Sequence, residues 1–163
     1  MIPLGIVSAA GAGGLPTKIF LTAQVTAVNN GVYSSPSSTS VSPNSTYFLT
    51  SVSYPSVIHQ VILIATLTYG LDEDYYSNPV VGKSVYFNIG GTIIGTSSLE
   101  SVSASTMTTD SSGQISKTFT GSEWRSGLNG DYIQAIFDGN LEGTILASES
   151  GTMNVTEYGQ GQS

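Results

Sequence analysis

Residues 57–69, VIHQVILIATLTY, constrain the fold more than any other part of the chain. Apolar side chains occupy both alternating faces in the middle of this run, and β-branched residues dominate it. A strand of this kind is covered on both sides and belongs in the centre of a sandwich. The longest apolar stretch, Val57 to Leu67, includes His59 and Gln60, and it falls well short of the roughly 20 residues that span a bilayer as a helix.

The flanking sequence reads as shorter strands separated by turn residues. In TKIFLTAQVTAV (residues 17–28), Ile19, Leu21, Ala23 and Val25 share one face, and Asn29, Asn30 and Gly31 mark a turn. YFLTSVSY (47–54) alternates up to Pro55, and KSVYFNI (83–89) runs into Gly90 and Gly91. QISKTFT follows the turn at Ser111, Ser112 and Gly113; DYIQAIF (131–137) ends at Asp138 and Gly139; TILASESGTMNVTE closes the series. Turns recurring about every 8–12 residues predict an all-β sandwich. The Ser/Thr/Pro-rich stretch at 34–46, SSPSSTSVSPNST, reads as a surface loop or short linker.

Charge then narrows the function. Charged residues are 9% of the chain, against about 25% in an average globular protein. Four basic residues (Lys18, Lys83, Lys117, Arg125) stand against eleven acidic ones, for a net charge of −7. Nucleic acid needs a basic stripe that neutralises phosphates, and anionic membranes need a basic patch, so neither is an expected partner. Solubility must come from Ser, Thr, Asn and Gly. The chain has no cysteine and one histidine, which removes disulfides, thiolate chemistry and His- or Cys-based metal clusters; no cofactor is expected.

The first residues, MIPLGIVSAAGAGG, are apolar and Gly/Ala-rich. They have no positive n-region, and Pro3 and Gly5 break the apolar stretch, so they do not read as a secretory leader. An apolar segment unable to form its own core packs on the body or docks on a partner. The expectation here is docking, through Ile2, Pro3, Leu4, Ile6 and Val7. The chain accordingly divides into an arm (1–16), a strand with the Ser-rich loop and a second strand (17–56), the main sandwich (57–157) and a polar tail (158–163).

Three motifs carry a family resemblance. Asn78 to Phe87 has the form x-P-V-x-G-x-x-V-x-F, Thr108 to Gly113 is T-T-D-x-x-G leading into an alternating strand, and Gly130 to Ala135 is G-x-Y-x-x-A. With these, residues 57–157 resemble a bacterial immunoglobulin-like domain of the invasin/intimin type. The acidic insert LDEDYYSNP and the Ser-rich segment before residue 57 have no counterpart in that pattern. Pro79 and Gly82 end one strand and start the next; Asp110 and Gly113 suit a tight hairpin; Tyr132 sits where a tyrosine corner ties down the preceding loop. The resemblance implies an Ig-like β-sandwich, here with an extended apolar N-terminal arm. The opening residues are similar to those of small virion proteins of tailed bacteriophages.

Catalytic chemistry finds little support. His59 lies in the most apolar strand with no GxSxG elbow, and Gly90-Gly91 is followed by neither Lys nor helix. Trp124 reads as a packing anchor. Asp72, Glu73 and Asp74 are adjacent oxygen donors without the alternating spacing of a calcium loop. Their neighbours Tyr75 and Tyr76 make the 72–76 loop a candidate contact surface. The expectation is a non-enzymatic virion structural protein, a head decoration or cement protein or else a small tail or fibre component. Its partners would be capsid or tail subunits, with further copies of the chain in the assembly. The alternative is a cell-surface adhesin or filament subunit joined by donor-strand exchange.

Overall fold

A computed structural model describes residues 14–48, 56–70, 78–89, 92–93, 107–127, 132–140 and 143–154. In chain order the strands are β1 (Thr17–Asn29), β2 (Val32–Tyr33), β3 (Ser37–Val41), β4 (Thr46–Phe48), β5 (Val57–Tyr69), β6 (Asn78–Pro79), β7 (Ser84–Ile89), β8 (Thr92–Ile93), β9 (Met107–Thr108) and β10 (Gln114–Thr120). A short helix of about two turns, α1 (Gly121–Gly127), precedes β11 (Tyr132–Phe137), β12 (Ser148–Glu149) and β13 (Thr152–Asn154). One sheet runs β10-β5-β1-β2, with β3 also on β1 and β6 on β5. The second runs β4-β13-β11-β7-β8, with β12 on β11 and β9 on β7. Pairing is antiparallel except between β4 and β13. The protein is an all-β sandwich.

The two long strands form the spine of the first sheet. β1 and β5 pair from Thr17↔Tyr69 to Val28↔Val57. Ile19, Leu21, Ala23 and Val25 point inward from β1, as their alternation predicts, and Ile58, Val61, Leu63, Ala65 and Leu67 from β5. Facing them from the second sheet are Val85, Phe87, Ile133, Ala135, Phe137 and Met153, all in one buried cluster. Fully burying each Leu, Ile or Phe in such a cluster contributes about 1.5–3 kcal/mol. Because β1 stands in the middle of this core, the described residues of 17–48 and of 57–154 share one hydrophobic interior.

His59 has a simple place in the spine. Gln60 pairs with Thr26 and Ile58 with Ala27, so His59 is the extra residue of a β-bulge. The bulge turns its ring to solvent, where it packs edge-on against Tyr33 at 4.6 Å between centroids. The β1–β2 hairpin that carries Tyr33 closes through Asn30 and Gly31 at φ 56° and 80°, the positive pair that a two-residue turn of the right twist requires.

Three expectations are corrected. The Ser/Thr/Pro stretch is not simply a loop, for its centre is β3, paired with β1 from Leu21↔Val41 to Val25↔Ser37. Thr39 and Val41 alternate inward there, and the Thr22 and Ser40 hydroxyls meet at 2.9 Å. The T-T-D-x-x-G turn closes tightly, Asp110 N donating to Gln114 O at 3.0 Å and Gly113 N to Asp110 O at 2.9 Å, but the strands it joins part, β9 to the second sheet and β10 to the first. Finally, α1 interrupts the strand series. Thr120 and Glu123 cap it reciprocally, Thr120 N donating to Glu123 Oε1 at 2.8 Å and Glu123 N to Thr120 Oγ1 at 3.2 Å. The cap seats Trp124 in the core against Phe119.

Candidate functional site

Of the arm, the structure describes only the root. Ile2, Pro3, Leu4, Ile6 and Val7 lie outside the described residues, as do Asp72, Glu73, Asp74, Tyr75 and Tyr76. The root itself is held firmly. Leu15 is buried and donates its N–H to Thr144 O at 2.8 Å, while its carbonyl accepts from Leu146 N at 2.9 Å. Pro16 O accepts from Gly70 N, and the Thr17 hydroxyl bonds both Leu146 O (2.8 Å) and Ser148 Oγ (2.7 Å). Residues 14–16, counted with the docking arm on sequence grounds, therefore pack on the body.

The segment that grips Leu15 owes its shape to Asn140. Its Oδ1 accepts from the N–H groups of Thr144 (2.9 Å) and Ile145 (3.0 Å), and its Nδ2 donates to the Thr144 hydroxyl. Such side-chain-to-backbone bonding is how Asn organises turns. At Gly14 φ is +71°, and a Cβ there would lie 2.7 Å from Gly143 O. The last glycine of the arm thus fits where no other residue does. Gly14 is thereby fixed beside the 143–146 segment.

Two of the motifs behind the family resemblance turn out to be one structural unit. The 80–83 and 109–113 segments both cross from one sheet to the other, side by side. Gly82 N donates to Thr109 O, and Thr109 N to Lys83 O, each at 2.9 Å. Lys83 N in turn donates to Thr109 Oγ1. Across the first sheet, Leu67 N donates to Gly113 O and Leu67 O accepts from Val80 N. Asp110 Oδ1 accepts from Ser112 N (2.8 Å) and Gln114 N (3.0 Å). These bonds stabilise the carboxylate and hold its pKa below the ordinary aspartate value. Tyr132, the expected corner tyrosine, opens β11 half-buried opposite Asn154; Gly130 lies outside the described residues.

On the outer face of the second sheet, the Tyr86 hydroxyl donates to Asp138 Oδ1 at 3.1 Å. Desolvation, followed by this bond and the charges of Asp138 and Glu149, raises the Tyr86 pKa. Among the described residues no group of three His, Cys, Asp or Glu side chains is placed to hold a metal ion, and no described helix is long and apolar enough to cross a membrane. Sequence reasoning missed the Leu15–Asn140–Thr17 clamp, whose one legible trace is the Asn140-to-Gly143 turn spacing. The chain matches no protein-family model, no curated protein and no solved structure.

Proposed function

We propose that the protein is a non-enzymatic structural component of a tailed-phage virion, an Ig-like sandwich that decorates or cements the head, with a small tail or fibre part as the second placement. The observation that carries this reading is the clamp on Leu15. It holds residues 14–17 on the sandwich, so that docking of the preceding apolar stretch on a neighbour carries the body with it. Burying Ile2, Leu4, Ile6 and Val7 in a neighbour's groove contributes about 1.5–3 kcal/mol per side chain before ordering costs. The low charge content supports the same reading, because surfaces of Ser, Thr, Asn and Tyr lie against neighbours without burying unpaired charge.

The test is the composition of particles from the phage or prophage that encodes the chain. Mass spectrometry of purified particles is expected to find the chain in many copies. Its absence from particles, or its recovery as a polymer of the chain alone, overturns the virion placement, and the second result favours donor-strand filament assembly.

A further inference from the structure

We infer that the polar groove between the 42–46 turn and the 149–152 bend is a binding site for a neutral oligosaccharide. The groove is open to solvent and has a volume of about 400 Å³, within the roughly 300–1,000 Å³ typical of ligand sites. Its lining brings together the Glu149 carboxylate, the Gln134 and Asn44 amides, and the hydroxyls of Thr46 and Thr152.

The walls are built by backbone. Thr152 N donates to Ser45 O at 2.8 Å, and Ser45 N to Ser42 O at 3.1 Å. A Cβ at Gly151 would run into the carbonyl oxygens of Ser42 and Ser45, so glycine is what lets the two segments close on each other. Thr46 and Thr152 sit opposite each other in the β4–β13 pairing. Below the bend, the buried Ser150 hydroxyl accepts from Ala135 N and donates to Gly151 O, both at 2.8 Å. The site is therefore formed before any ligand arrives.

The chemistry of the lining selects the ligand. Among the described residues no Lys or Arg lines the groove and Glu149 is its one charged group, which disfavours phosphate, sulfate and acidic sugars. One carboxylate is too few for a calcium ion, which takes about six to eight oxygens. Hydroxyls and amides without an apolar floor disfavour a hydrophobic ligand. A carboxylate next to an amide suits a pair of neighbouring hydroxyls, accepting from one and donating to the other. Gln134 Nε2 contacts Glu149 Oε1 and Ser150 O, both at 3.4 Å. Bonds this long are weak and give way to a sugar hydroxyl at little cost.

The test uses the full chain, labelled with ¹⁵N and titrated with maltohexaose, cellohexaose, chitohexaose and a linear mannohexaose. At least one is expected to shift the Gln134 side-chain amide and the backbone signals of Thr46, Gly151 and Thr152 saturably. Gln134→Ala and the exposed-site Glu149→Gln are expected to weaken that binding by about tenfold or more. Gln24→Ala, on the other sheet, leaves it unchanged. Unaltered thermal midpoints for Glu149→Gln establish that its loss of binding is not loss of fold. The assignment is overturned if none of the four sugars shifts these signals, if shifts map elsewhere, if both variants bind as the parent does, or if calcium chloride alone produces the response.

Discussion

Lys83 and Thr109 hold each other by two hydrogen bonds, Thr109 N to Lys83 O at 2.9 Å and Lys83 N to Thr109 Oγ1 at 3.0 Å. Twenty-six residues apart in sequence, they fasten together two of the segments where the chain passes between sheets, β6 to β7 and β9 to β10. Thr109 is buried, so loss of its hydroxyl leaves the Lys83 N–H facing a methyl group. Thr109→Val keeps shape and volume and is expected to cost about 1–3 kcal/mol, read from urea unfolding. A cost below about 0.5 kcal/mol, the scatter of ordinary surface substitutions, shows that the crossings are not held in this way.

At the same corner, Gly82 and Gly113 form a matched pair. Both have φ +75°, but a Cβ at Gly82 meets open space, whereas one at Gly113 lies 2.5 Å from Leu67 O and 3.1 Å from Pro79 Cβ. Gly82→Ala is expected to cost about 1–2 kcal/mol for left-handed backbone alone. Gly113→Ala adds an overpacking penalty of about 1–3 kcal/mol. Equal costs for the two in thermal or urea unfolding contradict the close approach of the 113 turn to β5.

Asp110 gives the corner a pH dependence whose sign follows from its bonds. The backbone N–H groups of Gln114 and Ser112 lower its pKa in the folded state. Its contribution is fully present above the ordinary, unfolded aspartate pKa. It falls away as pH drops from there through the lower, folded value. Asp110→Asn is expected to lower stability in the neutral region, where the carboxylate contributes, and to leave the acid end little changed, so that the acid limb of a plot of stability against pH is flatter. Titration of the Asp110 carboxyl carbon by NMR checks the direction directly, and an upward shift contradicts it.

Trp124 is wholly buried, yet its Nε1–H has no hydrogen-bond partner among the described residues. Trp124→Phe therefore removes an unpaired donor along with part of the ring. It is expected to cost far less than Trp124→Ala, for which about 3–5 kcal/mol is typical. Similar losses for the two variants, measured by circular dichroism during unfolding, argue that the indole nitrogen is satisfied in solution.

The long strands were legible in the sequence because alternation and β-branching are local signals. Ile19, Leu21, Ala23 and Val25 face the core as their spacing requires, and the Asn30-Gly31 turn closes where it reads. β3 was hidden because a Ser/Thr strand carries almost no apolar contrast; only Thr39 and Val41 mark its inner face. The destination of the strands after Gly82 and Gly113 was hidden for a different reason. A tight turn looks alike in sequence whether the chain returns to the same sheet or passes to the other, and the choice is made by long-range bonds such as Leu67 N to Gly113 O. The polar groove was invisible for the same cause, since Thr46 meets Gln134 and Glu149 only through tertiary structure.

The central claim is that the apolar 1–13 stretch, rooted at Leu15, joins the body to the virion. It is tested most directly by adding purified full-length chain, or the chain lacking residues 1–13, to particles made without the gene, and sedimenting the mixture. Gly14, Leu15 and the clamp remain in the truncated form. Full-length chain is expected to co-sediment, while the truncated chain stays folded, monomeric and in the supernatant. Co-sedimentation of the folded, truncated chain to the same extent contradicts the claim.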